Sequence, residues 1–253
     1  MKEHPILMNG AMVRATLADA KTQTRRIIKL PPAPAALGEW QASTIGGENG
    51  GRTAGSNKVP LQAVIWHTRT GKTLSCPHGQ QGDRIWVRET WRSTGDGGRA
   101  DYMAPRDMQP HQVWYEADGA APESECTGKT RTSIHMPRWA SRILMEIVSV
   151  RVERLNDCSE ADAKAEGVMQ LDADDSQRPE VRTKDGWQLC PTCAGTGLRS
   201  TLGAGGGVNF DVDCSECDTH LKLYRHLWEA INGAGSWAAN PWCWAITFKR
   251  VAP

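Results

Sequence analysis

Two Cys-x-x-Cys pairs, Cys190-Pro191-Thr192-Cys193 and Cys214-Ser215-Glu216-Cys217, constrain this chain more tightly than any other feature. Each pair lets two thiolates take adjacent corners of a tetrahedron, and the 20 residues between the pairs match the spacing of a four-thiolate zinc ribbon. The glycine-rich run Gly203 to Gly207 supplies slack to bring them together. Four protein ligands leave no open coordination position, so the expected zinc is structural and no metal is required for catalysis. The competing reading is that some of these cysteines are merely buried thiols. Knuckles of this kind also bind nucleic acids or partner proteins, and Arg199 and Lys222 lie close by. We place the knuckle at 187–218 as an insertion and treat Cys76, Cys126, Cys158 and Cys243 as ordinary residues.

The chain has 253 residues, enough for a sizeable core, and is read as one elaborated domain over 1–253. Thirty Lys and Arg against 29 Asp and Glu give a formal net charge of +1. That balance excludes a global basic field for long nucleic acid, so any such contact needs a local patch. The start Met1-Lys2-Glu3-His4-Pro5 lacks the basic-then-apolar run of a signal peptide, and no apolar stretch approaches bilayer length. The expectation is a cytoplasmic protein without membrane partners. Most of the 11 tryptophans are expected in the core.

Alternating apolar residues predict strands at Pro5 to Asn9, Leu61 to Trp66, Gly82 to Trp91, Gln112 to Glu116, Ile143 to Leu155 and Trp242 to Arg250. In the third, Trp86 and Arg88 share one face, and Ile85, Val87 and Glu89 the other. Helical spacing runs from Gly10 to Ala20 and again from Thr219 to Asn232, where Leu223, Leu227, Trp228 and Ile231 form the apolar side. Ser159-Glu160-Ala161-Asp162 resembles a capping box without its usual Glu or Gln, and Gly167 closes a short helix whose last turn carries Glu166. The Pro, Gly, Ala and Ser content of 31–60 predicts a flexible loop insertion. Short strands with few helices and no βαβ repeat give an α+β class built on a small mixed β-barrel.

Lys21-Thr22-Gln23-Thr24-Arg25-Arg26 is the candidate for chemistry. A threonine hydroxyl is a poor nucleophile until a base takes its proton, and a lysine beside cations can be that base. Residues three apart at a helix end or tight turn face one side, which brings Lys21 to Thr24. A basic helix end offsetting the macrodipole is the alternative reading of the same string.

The segments Pro5 to Gly10, Ala20 to Arg26 and Gly82 to Trp91 together resemble the ASCH family of the PUA-like superfold. With His135 to Arg142 and Asn232 to Trp237 they are similar to an ASCH group often carried by phages and prophages. The resemblance implies a PUA-like barrel with short flanking helices, into which the loop and the knuckle are inserted. One branch of that family hydrolyses N4-acetylcytidine to cytidine and acetate with a lysine and threonine in a K-x-x-T segment and a later helical glutamate. Lys21 and Thr24 match the first two, and Glu166 takes the third place. The implied roles are attack by Thr24, proton transfer by Lys21, and orientation by Glu166. The candidate substrate-binding set is Arg25, Arg26, Trp86, Arg88, Glu89, Trp91 and Trp139, the rings as walls for a pyrimidine and the polar groups for its edge. The alternatives are a non-catalytic module that binds RNA or a modified base through Lys21, Arg25 and Arg26, and an ASCH ribonuclease.

Overall fold

The computed structural model describes residues 1–31, 38–47, 60–95, 99–121, 127–168, 190, 192–193, 198–202 and 208–252. In chain order the elements are β1 (Glu3–Leu7), α1 (Gly10–Leu17), β2 (Gln23–Ile27), β3 (Trp40–Ile45), β4 (Gln62–His67), β5 (Thr73–Ser75), β6 (Arg84–Arg88), β7 (Trp91–Ser93), β8 (Val113–Tyr115), β9 (Leu144–Arg154), α2 (Glu160–Ala165), β10 (Leu198–Leu202), β11 (Val208–Asp213), α3 (His220–Asn232) and β12 (Trp242–Val251). Where length leads one to expect a single domain, the chain divides into two compact units, Met1–Val152 with Trp244–Pro253, and Glu153–Cys243.

The first unit is organised by a five-stranded sheet in the order β1-β6-β9-β12-β2. β1 runs parallel to β6 in the register His4 to Ile85 and Ile6 to Val87, and β6 pairs antiparallel with β9. Ile85, Val87, Met145, Ile147 and Ile246 are buried along these strands. Gly82, at φ +84°, makes the turn into β6, and the Asp83 carboxylate fixes it by accepting from the backbone N–H groups of Lys2 and Gln80. A three-stranded sheet, β3-β4-β5, and a two-stranded one, β7-β8, complete the unit.

Two expectations are corrected here. The sheet is not a closed barrel: among the described residues β1 and β2 are its edges, and no pairing joins them. Residues 31–60 also do not form loop throughout, because Trp40–Ile45 pairs antiparallel along the whole of β4. Loop-like composition on either side conceals a six-residue strand whose backbone bonds are satisfied by β4. The rest of that stretch, apart from 31, 38–39, 46–47 and 60, lies outside the described residues.

Helix α1 stops earlier than its apolar spacing predicts. Asn9 caps its start by accepting from the Met12 N–H at 2.9 Å. After Leu17 the chain turns through Asp19, at φ +56°, and the N–H groups of Ala20 and Lys21 return to the Ala15 carbonyl. Aspartate tolerates the left-handed region, so a glycine is not needed to end the helix. The segment that follows is therefore extended.

The second unit has a core of its own, in which the four paired cysteines pack with Leu155, Cys158, Ala163, Val168, Leu223, Tyr224 and Trp228. Ser159 and Asp162 do form a reciprocal capping box, aspartate doing the work of the customary glutamate. Helix α3 is capped by Thr219 and ends at Gly233. Its buried face is Leu223, Tyr224 and Trp228, with Leu227 partly buried; Ile231, expected on that face, is exposed. A tyrosine one residue past Leu223 takes the inward position because the face follows the core, not the apolar count.

Candidate functional site

Lys21, Gln23, Thr24 and Arg25 are all at least 96% buried, so this is not a solvated basic helix end. They lead into and form β2, an edge strand of the five-stranded sheet. Because the segment is extended, strand alternation sets Gln23 and Arg25 on one face and Thr24 and Arg26 on the other. Helical proximity between residues 21 and 24, expected from sequence, is replaced by a different link. The Lys21 Nζ donates at 2.8 Å to the Gln23 carbonyl, the peptide that joins Gln23 to Thr24. The ammonium nitrogen is thereby held one peptide unit from the threonine.

Gln23 is anchored across the sheet. Its Oε1 accepts from Thr247 Oγ1 on β12 at 3.3 Å and from Arg151 Nη2 on β9 at 3.4 Å. Its Nε2 is buried and has no hydrogen-bond partner among the described residues. Arg26 lies half-buried and donates through Nη2 to the Leu7 carbonyl at 2.6 Å. Glu166 belongs to the second unit: it is buried at the C-cap of α2, its N–H bonded to the carbonyls of Asp162 and Ala163.

The remaining candidates sort by geometry. Glu89 is 1% exposed, and Arg142 binds it through two parallel bonds, Nε to Oε1 at 3.0 Å and Nη2 to Oε2 at 2.9 Å. The same guanidinium forks onto Asp118 at 2.7 and 2.8 Å and lies 3.9 Å over the Tyr115 ring. Burial pushes the Glu89 carboxyl above its ordinary value, and Arg142 opposes the shift. Arg142 is itself held above its ordinary value: burial favours loss of its proton, but the bonds to Glu89 and Asp118 outweigh it. With both oxygens engaged, Glu89 belongs to the framework and not to a substrate edge. Trp91 has no exposed surface and meets Trp139 edge to face at 6.1 Å in a cluster with Met108, Met136 and Ala140, so it cannot stack on a base. Trp139 is half-buried between Trp91 and His111. Trp86 is buried, with Arg88 at 4.7 Å and Arg138 at 5.9 Å over its ring, and Arg88 is fastened to the Ile134 carbonyl. Of the described tryptophans, Trp86, Trp91, Trp228 and Trp244 are buried in the core, and the others are half-buried, so fewer reach the core than expected.

The four cysteines of the two pairs come together. Their sulfurs all lie within 4.8 Å of one another, with Cys190 to Cys214 at 3.8 Å and Cys193 to Cys217 at 3.4 Å. These separations are too long for disulfides, and sulfurs about 2.3 Å from a shared metal would lie about 3.8 Å apart. The group can hold a metal ion. Burial, then the neighbouring thiols, pushes Cys217 well above its ordinary value, and burial raises Cys214. The second pair is pinned to α3: Lys222 Nζ donates to the Ser215 carbonyl and to Asp218 at 2.7 Å each, and the His226 ring bonds the Glu216 carbonyl at 3.1 Å.

No protein-family model, curated protein or solved structure matches the chain. No described helix is long and apolar enough to cross a membrane.

Sequence reasoning missed Gln23, Arg142, Arg151 and Thr247. A carboxylate at Glu89 among apolar strand positions signals that some cation must cover it, but the partner lies 53 residues away.

Proposed function

We propose that this is an ASCH-type amidohydrolase that removes the acetyl group from N4-acetylcytidine or a related acylated pyrimidine nucleoside or nucleotide. The observation that carries the reading is the burial of Lys21 beside Thr24, with the Lys21 Nζ on the peptide that precedes the threonine. A long cationic side chain is seldom withdrawn from water without a task or a partner. In this reaction the Lys21 amine acts in its neutral form: the Thr24 Oγ attacks the acyl carbonyl while Lys21 takes its proton, becoming the ammonium, and then delivers that proton to the departing cytosine amine. Water then releases acetate from the threonine ester. The cysteine group holds a structural zinc ion that serves the fold of the second unit and takes no part in the reaction.

The test is acetate release from N4-acetylcytidine by the purified chain. Thr24→Ala and Lys21→Ala should each lower kcat by about a hundredfold or more, with folding checked by circular dichroism. A second reading, a non-catalytic reader of a modified base, is favoured by the extended geometry of β2, where alternation parts the lysine from the threonine. It predicts nucleoside binding lost in Lys21→Ala and retained in Thr24→Ala, with no acetate formed by either.

A further inference from the structure

We propose that Gln23 is a positioning residue for the Lys21 amine: Thr247 and Arg151 grip its side chain across the sheet and so fix the carbonyl to which the Lys21 Nζ is bonded. This rests on the hydrolase reading above. Both residues are withdrawn from water, Lys21 at 2% exposure and Gln23 at 3%. The Lys21 Nζ donates to the Gln23 carbonyl at 2.8 Å, so the place of the amine follows the place of that peptide. β2 is an edge strand, and successive carbonyls of an extended chain point to opposite sides. The Thr22 carbonyl accepts from the Phe248 N–H of β12 at 2.8 Å. The Gln23 carbonyl therefore points off the open edge, where among the described residues no strand of the sheet lies to hold it.

The side chain supplies the hold that the ladder lacks. Thr247 Oγ1 donates to Gln23 Oε1 at 3.3 Å from β12, and Arg151 Nη2 donates to the same oxygen at 3.4 Å from β9. Arg151 is a pure donor, so the amide must turn its oxygen and not its nitrogen to the guanidinium. That orientation leaves Nε2 buried and without a partner among the described residues, a penalty that an apolar residue of this length would avoid. An apolar residue would fill the same space but would let the peptide shift, and a displacement of about 1 Å in a positioned site can lower a rate about a hundredfold. Because strand carbonyls lie in the plane of the sheet, the amine stands beside the peptide that joins Gln23 to Thr24 and not on the Gln23 face. Gln23 itself touches neither the substrate nor the transferred proton.

Gln23→Met and Gln23→Glu separate this role from simple packing. The methionine removes the acceptor at similar length, whereas the glutamate keeps an oxygen for Thr247 and Arg151. In Gln23→Met, kcat for acetate release from N4-acetylcytidine should fall at least about tenfold while KM changes less than about threefold, and Gln23→Glu should recover most of the loss. A readout independent of turnover is reductive methylation of Lys21 by formaldehyde and a borane, followed by peptide mass spectrometry. Labelling should be at least about threefold faster in Gln23→Met and return towards the wild-type rate in Gln23→Glu, with melting temperature recorded for each protein. Should Gln23→Met fail to fold, Thr247→Val removes one of the two donors at nearly constant shape and is read the same way. Unchanged kcat, or a rise confined to KM, in a folded variant would overturn the assignment and leave the hydrolase reading standing. If the wild type releases no acetate, the hydrolase reading falls and labelling alone decides: faster labelling reversed by Gln23→Glu keeps Gln23 as the holder of the amine, and unchanged labelling overturns both.

Discussion

Replacing Arg142 by methionine asks how much of the first unit hangs on one guanidinium. The methionine retains apolar contact with Tyr115 but leaves the Glu89 carboxylate, whose side chain is 2% exposed, without its counter-ion. An uncompensated buried charge costs about 3–5 kcal/mol. The protein can escape part of that by protonating the group, which for a carboxyl of ordinary value 4.5 costs about 3.4 kcal/mol at pH 7, at about 1.36 kcal/mol per unit. The lesser cost prevails, so Arg142→Met should lose about 3 kcal/mol at pH 7. The pH dependence identifies the mechanism. A carboxyl whose folded value is raised contributes stability that is complete below its unfolded value and is lost as pH climbs through the folded one. Glu89 is already raised in the wild type, and the variant extends that window upward. The gap between the two proteins should therefore narrow by about 1.4 kcal/mol per unit as pH falls from 7 towards 5. Urea unfolding followed by tryptophan fluorescence measures both curves, and adding Glu89→Gln should restore most of the loss at pH 7. A deficit under about 1 kcal/mol, or one that stays constant with pH, would refute the argument.

Two further outcomes are expected. The purified chain should carry one zinc per molecule, and cobalt in its place should give thiolate charge-transfer absorption; Cys193→Ser or a strong chelator should abolish that signal together with the helical circular dichroism of the second unit, since structural zinc sites contribute about 10 kcal/mol or more to folding. His78 is lowered from 6.5 to about 4 by burial, then by the charges of Arg26 and His4, so its contribution to stability is complete above 6.5 and is lost as pH falls towards 4. His78→Gln should flatten the stability curve between pH 6.5 and 4 by up to about 3 kcal/mol, measured by urea unfolding at each pH.

Where the chain's own local pattern decides the structure, the sequence is legible. β9, β12 and α3 follow from alternation and helical spacing almost at their observed bounds, while the run read as one strand from Gly82 to Trp91 forms the shorter β6 and the first residue of β7. The cysteine group follows because its ligands come in short local pairs whose spacing suits one metal geometry. Legibility fails where a distant partner decides. β3 looks like loop until β4 supplies its hydrogen bonds, and α1 ends at Leu17 because Asp19 accepts a backbone conformation that no hydrophobic count reports. The open sheet is a matter of strand order, which short strands do not encode individually. Within the site, Lys21 and Thr24 stand out as a motif, yet the local pattern reads as a helix end or tight turn where the chain enters a strand. Gln23 between them drew no notice, since its unsatisfied amide exists only once β9, β12 and β2 lie side by side.

The first residue of α2 has a consequence for how this chain tolerates change. Glu160 accepts from the N–H and ring Nδ1 of His220 through one oxygen and from the Leu221 N–H through the other, so the starts of α2 and α3 are tied although 60 positions apart. Whatever length of chain leaves after α2 must come back to the same knot. A loop fastened at its own neck can lengthen at little cost, about 0.6 kcal/mol for each doubling, without moving the two helices that hold it. That makes this stretch a natural port for acquired sequence, the two cysteine pairs included, and the place where related chains should differ most in length while their helices keep step.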